Sequence, residues 1–304
     1  MALDLTGLST YTDETSGDLI KRSVMKGRTI DYISMVAGIK SAQTINTINN
    51  EVNIQAGGCS NPASGDTVLE QRVLNVAKLN VVQTWCIDDL EDYYTQTMLN
   101  PGSYHEDLPF SGILAEDMIA KLQKENEMIA WQGDTLGSGN LSRADGLLKI
   151  IDAAVGVVTG TTLALDAANI IDAVDEMIAA IPEDAIDSDD LTVFMSYASY
   201  RIYANALRDT NLFAYTGAEN QGGDFMQMHP GTNVMVMAVG GLNGLVTPRA
   251  VLAEASNLYS GTDLANDFEQ FDLFYDKSTD KVKLNIKYKL GFQVAFPERI
   301  VISA

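Results

Sequence analysis

The chain has 304 residues, 46% of them hydrophobic and 20% charged, enough to bury a large core without disulfide or metal staples. Its 41 acidic residues against 20 basic ones give a formal net charge of -21, which argues against a general nucleic-acid binder and suits a protein that must stay dispersed at high concentration. Two cysteines, Cys59 and Cys86, are too few for a disulfide framework, and no apolar run approaches the ~20 residues of a membrane span, so the chain reads as a soluble product of a reducing cytoplasm.

Residues 1–18 are small and polar and read as an arm without a core of its own. Over 18–37, Leu19, Ile20, Val24, Ile30, Ile33 and Met35 occur among Lys21, Arg22, Lys26 and Arg28, which predicts a short, weakly amphipathic helix broken near Gly27. The stretches QTINTINNEVNIQ and TVLEQRVLNVAKLNVVQTW, within 41–86, are rich in Val, Ile, Thr and Asn and predict two long strands. Between them AGGCSNPASGD is a loop of turn formers. A two-stranded hairpin is marginal in water, so this one is expected to lie against something else, such as another subunit.

DDLEDYYTQTML (88–99) predicts a short helix ended by Asn100, Pro101 and Gly102. GILAEDMIAKLQKENEMIAWQG is the strongest helical pattern, with Leu114, Met118, Leu122 and Ile129 on one stripe, Ser111 as cap and Gly133 at C′. At 1.5 Å per residue it spans about 30 Å. Residues 145–250 read as an α/β segment. ALDAANIIDAVDEMIAAI is a helix capped by Asp166 and stopped before Pro182; LTVFMS and NVMVMAV are buried strands; SYRIYANALRD is a helix with Ser199 as its cap.

The last segment, FEQFDLFYDKSTDKVKLNIKYKL, is a hairpin centred on Ser278 and Thr279. In that register Tyr275, Leu273 and Phe271 oppose Val282, Leu284 and Ile286 on one face. On the other face Asp276 opposes Lys281, and Asp272 opposes Asn285 with Lys283 and Lys287 diagonal. The alternating KVKLNIKYKL is thereby a strand with a wet, lysine-bearing side next to acids, rather than a nucleic-acid stripe. Lys287 and Lys289 have no acid opposite them.

Signatures of chemistry are missing class by class. His105 and His229 are far apart and flanked by turn formers, without the further ligands a zinc site needs. Neither thiol has a basic neighbour in sequence; Cys86 reads as a core residue and Cys59 as an exposed loop thiol open to an intermolecular disulfide. GDTLGSGNL lacks the Gly-Lys-Ser/Thr ending of a phosphate loop, and DSDD (187–190) lacks a calcium-loop pattern. A structural protein without cofactor or metal is the leading reading.

The order of elements then becomes informative: polar arm, long two-stranded excursion, long helix, α/β middle, return through a strand hairpin. This resembles the major capsid proteins of tailed bacteriophages, an α+β architecture of the Hong Kong 97 type. Three stretches carry the resemblance: AEDMIAKLQKENEMIAWQGD with ADGLLKI, LTVFMSYASYRIYANALRD, and NLYSGTDLANDFEQFDLFYD with GFQVAFPERIVI. Together they span about residues 40–304.

The resemblance implies an N-terminal arm at 1–40 and an extended E-loop at 41–86 that reaches over a neighbour. It implies a peripheral domain at 87–144 and 250–304, and an axial domain at 145–249. It implies assembly as hexamers and pentamers, without enzymatic activity, into an icosahedral virion shell around double-stranded DNA, built in the host cytoplasm. Candidate contacts between subunits are Cys59, Asn61, Arg72, Lys78, Lys287 and Lys289; the candidate inward-facing basic arm is Lys21, Arg22, Lys26 and Arg28. Some members crosslink through an E-loop lysine, but no Lys lies between Lys40 and Lys78 here, so that chemistry is not expected. About 40 arm residues are too few for a cleaved scaffolding domain, which points to a separate scaffolding protein or none, with a portal and a decoration protein as further partners. An encapsulin-like nanocompartment shares the fold and is the alternative; an α+β enzyme with a scattered acidic site is a more distant one.

Overall fold

The computed structural model describes residues 27–55, 57, 65–86, 109–210, 225–263, 270–276, 278–279 and 281–303. The predicted 88–99 helix, residues 1–26 and the loop tip at 58–64 lie outside these. Among the described residues the strands form three sheets.

The predicted register of the last hairpin is the one found. Strand β11 (Gln270–Asp276) pairs antiparallel with β12 (Lys281–Val294), with Asp276 opposite Lys281, Leu273 opposite Leu284 and Phe271 opposite Ile286. The ion pair of that face is diagonal: Lys283 bonds Asp276, whose carboxyl is held below its usual range chiefly by that lysine. What the alternation does not reveal is that β12 is a central strand. On its other side it pairs with β4 (Ala77–Cys86), and its far end pairs with β10 (Leu258–Gly261), beside which β1 (Ser34–Val36) runs parallel. Val282, Leu284, Ile286, Tyr288 and Leu290 are all buried beneath the long helix α2 (Pro109–Gln132), and the Tyr288 hydroxyl donates to Asn126 of that helix at 2.6 Å.

Three predicted elements change shape. The helix expected over 18–37 is a single described turn, α1 (Thr29–Tyr32), followed by β1, because Ser34–Val36 finds a parallel partner in β10. The long strand expected over 67–85 breaks at Val76 into β3 (Thr67–Asn75) and β4. β3 pairs only with β2 (Ala42–Asn50), whereas β4 joins β12, so the two-stranded excursion covers 42–75 and not 41–86. Ser111 falls inside the first turn of α2 rather than capping it.

A six-stranded mixed sheet runs β5 (Val158–Thr161), β13 (Val301–Ser303), β9 (Ala250–Glu254), β6 (Leu191–Ser196), β8 (Met235–Val239) and β7 (Met226–Met228). The chain's last strand and the 250–254 stretch therefore belong with the 145–249 segment, not with the expected 250–304 block. β6 is buried on both faces, which is why it reads as one continuous apolar run. Val193 and Met195 face helices α4 (Ile170–Ala179) and α5 (Tyr197–Asp209); Phe194 faces the core under α2 and meets the Trp131 ring at 5.3 Å. Helix α3 (Leu147–Ala153) sends Leu147, Leu148 and Ile151 into that same core.

Helix ends were only half legible. Asp166 accepts the N–H groups of Ala168 and Asn169 at 3.0 Å, just ahead of α4. α5 is capped by Ser196, whose hydroxyl accepts the Ser199 N–H at 3.1 Å, so Ser199 is the capped residue and not the cap. Gly133 does end α2, but for a steric reason: a Cβ there would sit 2.3 Å from the Ala144 carbonyl oxygen.

Candidate functional site

Among the described residues no group of three or more His, Cys, Asp or Glu is placed to hold a metal, and no described helix is long and apolar enough to cross a membrane. The features that stand out are an exposed excursion, the lock at its root, a buried anchor under α2 and one buried histidine.

The excursion β2–β3 is two strands wide and exposes apolar side chains on both faces, with Val68 on one and Ile48, Leu69 and Val73 on the other. Ile48 and Leu69 are directly opposed, 60% and 69% exposed, and Val73 lies on the same face four residues further toward the root. Paired apolar side chains presented by a marginal two-stranded sheet are the kind that an interface covers. On the opposite face Arg72 stands opposite Ile45, with its Nε buried and without a hydrogen-bond partner.

The excursion is held at its root by close packing. Val76 N–H donates to the Ser41 carbonyl at 3.0 Å, closing the base of the hairpin. There the chain passes so near β12 that a Cβ on Gly291 would lie 2.0 Å from the Asn75 carbonyl oxygen; a Cβ on Gly261 would press on Leu74. Beside this crossing, buried Asp263 receives ammonium groups from Lys40 and Lys289, each at 2.7 Å.

The segment preceding β1 is anchored by Glu127. Its carboxylate accepts N–H groups from Arg28 and Thr29 at 3.0 Å and the Thr29 hydroxyl at 2.5 Å, and Trp131 Nε1–H donates to that hydroxyl oxygen at 2.7 Å. Burial pushes the Glu127 carboxyl up, against the pull of these hydrogen bonds. Gln132, one turn on, donates to the carbonyls of Gly241 and Asn243, tying the end of α2 to the six-stranded sheet.

His229, read from sequence as a loop residue, is buried. Its ring nitrogens lie 2.7 Å from the Tyr203 hydroxyl and from Asp175, so one imidazole joins α5, α4 and the turn between β7 and β8. A carboxylate only accepts, so Nε2 carries the proton and Nδ1 accepts from Tyr203. Burial lowers the His229 pKa and raises that of Tyr203.

The structure separates the residues singled out from sequence. Cys59, Asn61, Lys21, Arg22 and Lys26 lie outside the described residues. Arg28 gives its N–H to Glu127 and lays its guanidinium 5.7 Å from the centre of the Phe225 ring. Lys78 is exposed on β4, opposite Lys289 of β12. Lys287 is exposed, flanked by Gln270 and Asn80 on the neighbouring strands. Lys289 is 8% exposed and already paired with Asp263 of its own chain, which accounts for it without a neighbouring subunit. Glu127, Thr29 and Asp263 went unnoticed in sequence because a buried carboxylate on a helix or turn carries no local signature.

No protein-family model matches the sequence, and no curated protein does. Solved structures match over the whole chain. The capsid of an empty GTA particle is similar at TM-score 0.63 and 13% identity, over 98% of this chain and 96% of that one. The capsid of Myoviridae phage XM1 is similar at TM-score 0.62 and 13% identity, over 100% and 98%. The satellite phage P4 procapsid structure that includes the size determination (Sid) protein is similar at TM-score 0.55 and 12% identity, over 98% and 94%. The chain thus has the α+β fold of a capsid subunit. More narrowly, it is the phage capsid fold that the order of its elements resembles in sequence.

Proposed function

We propose that this chain is the major capsid protein of a tailed phage, assembling as hexamers and pentamers into an icosahedral head around double-stranded DNA. The observation that carries this is the completeness of the match: excursion, long helix and both larger sheets fall within the 98–100% of the chain that superposes on capsid subunits. Supporting it, the excursion exposes the Ile48–Leu69 pair, which a neighbouring subunit would cover. Residues 42–75 then act as the reaching loop and the segment up to residue 40 as the arm. The net charge of -21 suits DNA enclosed without sequence-specific contacts, with Lys21, Arg22 and Lys26 as the inward-facing cations. A scaffolding protein, a portal and a decoration protein are the further partners of such a shell, which is assembled in the host cytoplasm and retained in the virion.

Electron microscopy of the expressed protein tests the reading: shells, sheets or capsomers are expected, and a strict monomer at high concentration overturns it. Replacing Ile48 and Leu69 with Ser is expected to leave the subunit folded and to abolish assembly.

A further inference from the structure

The five-stranded sheet has two faces of different character. Val282, Leu284, Ile286 and Tyr288 of β12 are buried on the side of α2, so the residues between them stand on the other side. That second face holds Lys281, Lys283 and Lys287 on β12, Lys78 and Val82 on β4, and Phe274 on β11. Lys78, Lys281 and Lys287 are exposed and make no ion pair among the described residues; Lys283 is engaged by Asp276. Asp276 and Asp272 are the acids of β11 on this face, so lysines outnumber carboxylates here although the chain as a whole carries a net charge of -21.

The lysines surround an apolar centre. Val82 is level with Asn285 and Phe274 with Lys283, on the strands either side of β12, which sets them about 12 Å apart. They are 55% and 48% exposed. Lys281 lies beyond them at one end, and Lys287 and Lys78 lie beyond them at the other, with about 20 Å between Lys281 and Lys287. An apolar centre with an aromatic ring and a charged rim is the anatomy of a protein interface. A duplex-binding face instead lines its contact area with cations that follow the phosphates. The rim is cationic, so the matching surface is acidic. The rest of this chain repels such a surface at long range, which leaves this face as the one toward which an acidic partner is steered.

We propose that this face of β4, β12 and β11 binds a separate acidic protein, which covers Val82 and Phe274 with apolar side chains and meets Lys78, Lys281 and Lys287 with carboxylates. The face belongs to one subunit, so the proposal stands or falls apart from the shell reading.

Fluorescence anisotropy with the full chain in solution tests it, using three labelled probes: a peptide of glutamates around a central leucine and phenylalanine, polyglutamate of the same length, and duplex DNA. The first is expected to bind about tenfold more tightly than polyglutamate, and both are expected to weaken as salt is added. Lys78→Glu with Lys281→Glu and Lys287→Glu is expected to weaken the first probe at least about tenfold while leaving the urea midpoint unchanged. Val82→Ser with Phe274→Ser is expected to reduce it to the affinity of polyglutamate. Duplex DNA bound as tightly as the peptide, or peptide binding indifferent to both sets of substitutions, overturns the proposal. So does a charge-reversed chain that stays folded but no longer forms particles that the wild type forms, because a second copy then occupies the face.

Discussion

The carboxylate of Glu127 takes both the backbone N–H and the hydroxyl of Thr29, at 3.0 and 2.5 Å, 98 residues apart in sequence. With the Arg28 N–H on the same carboxylate, one buried side chain satisfies the start of α1 and fastens the incoming segment to the long helix. Glu127→Ala leaves these donors buried without an acceptor and is expected to cost about 3 kcal/mol. Glu127→Gln keeps one acceptor oxygen and is expected to cost about 1 kcal/mol. Urea unfolding of the unassembled subunit measures both; equal costs for the two would show that packing, not hydrogen bonding, holds the segment.

The chain Asp175–His229–Tyr203 predicts a pH dependence. Burial holds the folded-state His229 pKa below its usual 6.5, so the unfolded chain takes up the proton first as pH falls. The stabilising contribution is full above about pH 6.5 and declines below it by at most ~1.4 kcal/mol per pH unit, levelling off once pH drops below the folded-state value. Asp175 on α4 opposes this by favouring the charged ring; the Tyr203 hydroxyl on α5 must reverse from donor to acceptor. The stability gap between wild type and His229→Gln is expected to narrow from pH 7 to pH 5, as read by denaturant midpoints; a gap independent of pH refutes the linkage.

Lys287 and Lys289 are neighbours on one strand face with different surroundings. Lys289→Met leaves Asp263 with less compensation in a buried site and is expected to cost about 2–3 kcal/mol, moderated by the remaining Lys40 pair. Lys287→Glu, on an exposed side chain, is expected to change subunit stability by less than about 0.5 kcal/mol. Thermal or urea unfolding separates them, and sedimentation of the Lys287→Glu variant beside the wild type then reads any effect on self-association alone.

Gly291 and Gly38 test two different reasons for glycine. A Cβ at Gly291 meets the Asn75 carbonyl oxygen at 2.0 Å, so Gly291→Ala must push β12 from the root of the excursion and is expected to cost about 3 kcal/mol or to block folding. Gly38 has φ +86° with nothing within 4 Å of an added Cβ, so Gly38→Ala meets only backbone strain and is expected to cost about 1 kcal/mol. Chevron or equilibrium unfolding of the two variants checks the order; a larger loss at Gly38 contradicts it.

Local pattern carried some elements well. LTVFMS was legible as a strand buried on both faces because its residues are continuously apolar. The pairing of β11 with β12 was legible because a two-residue alternation admits one register that keeps Leu284 and Ile286 dry. The break at Val76 was not legible: TVLEQRVLNVAKLNVVQTW is uniformly strand-like, and only the approach of Asn75 to Gly291 decides where one strand ends and the next begins. The capping of α5 slipped by three residues because Ser196 and Ser199 are equally good caps on paper, and the end of β6 selects the first.

The candidate site divides in the same way. The missing catalytic signatures, the lysine face of KVKLNIKYKL and the order arm, excursion, long helix, α/β middle and closing hairpin could be read from the residues, because composition and periodicity are local properties. Which lysine is buried, which histidine bridges two helices, and which glutamate fastens the segment ahead of β1 could not. Those depend on contacts between residues 26 to 98 apart, such as Lys289 with Asp263, His229 with Asp175 and Thr29 with Glu127. The sequence alone determined that this is an acidic, core-forming α+β chain with a long strand excursion. Only the tertiary structure decided where that excursion is rooted and which charges stay exposed, since burial is set by what the rest of the chain brings alongside.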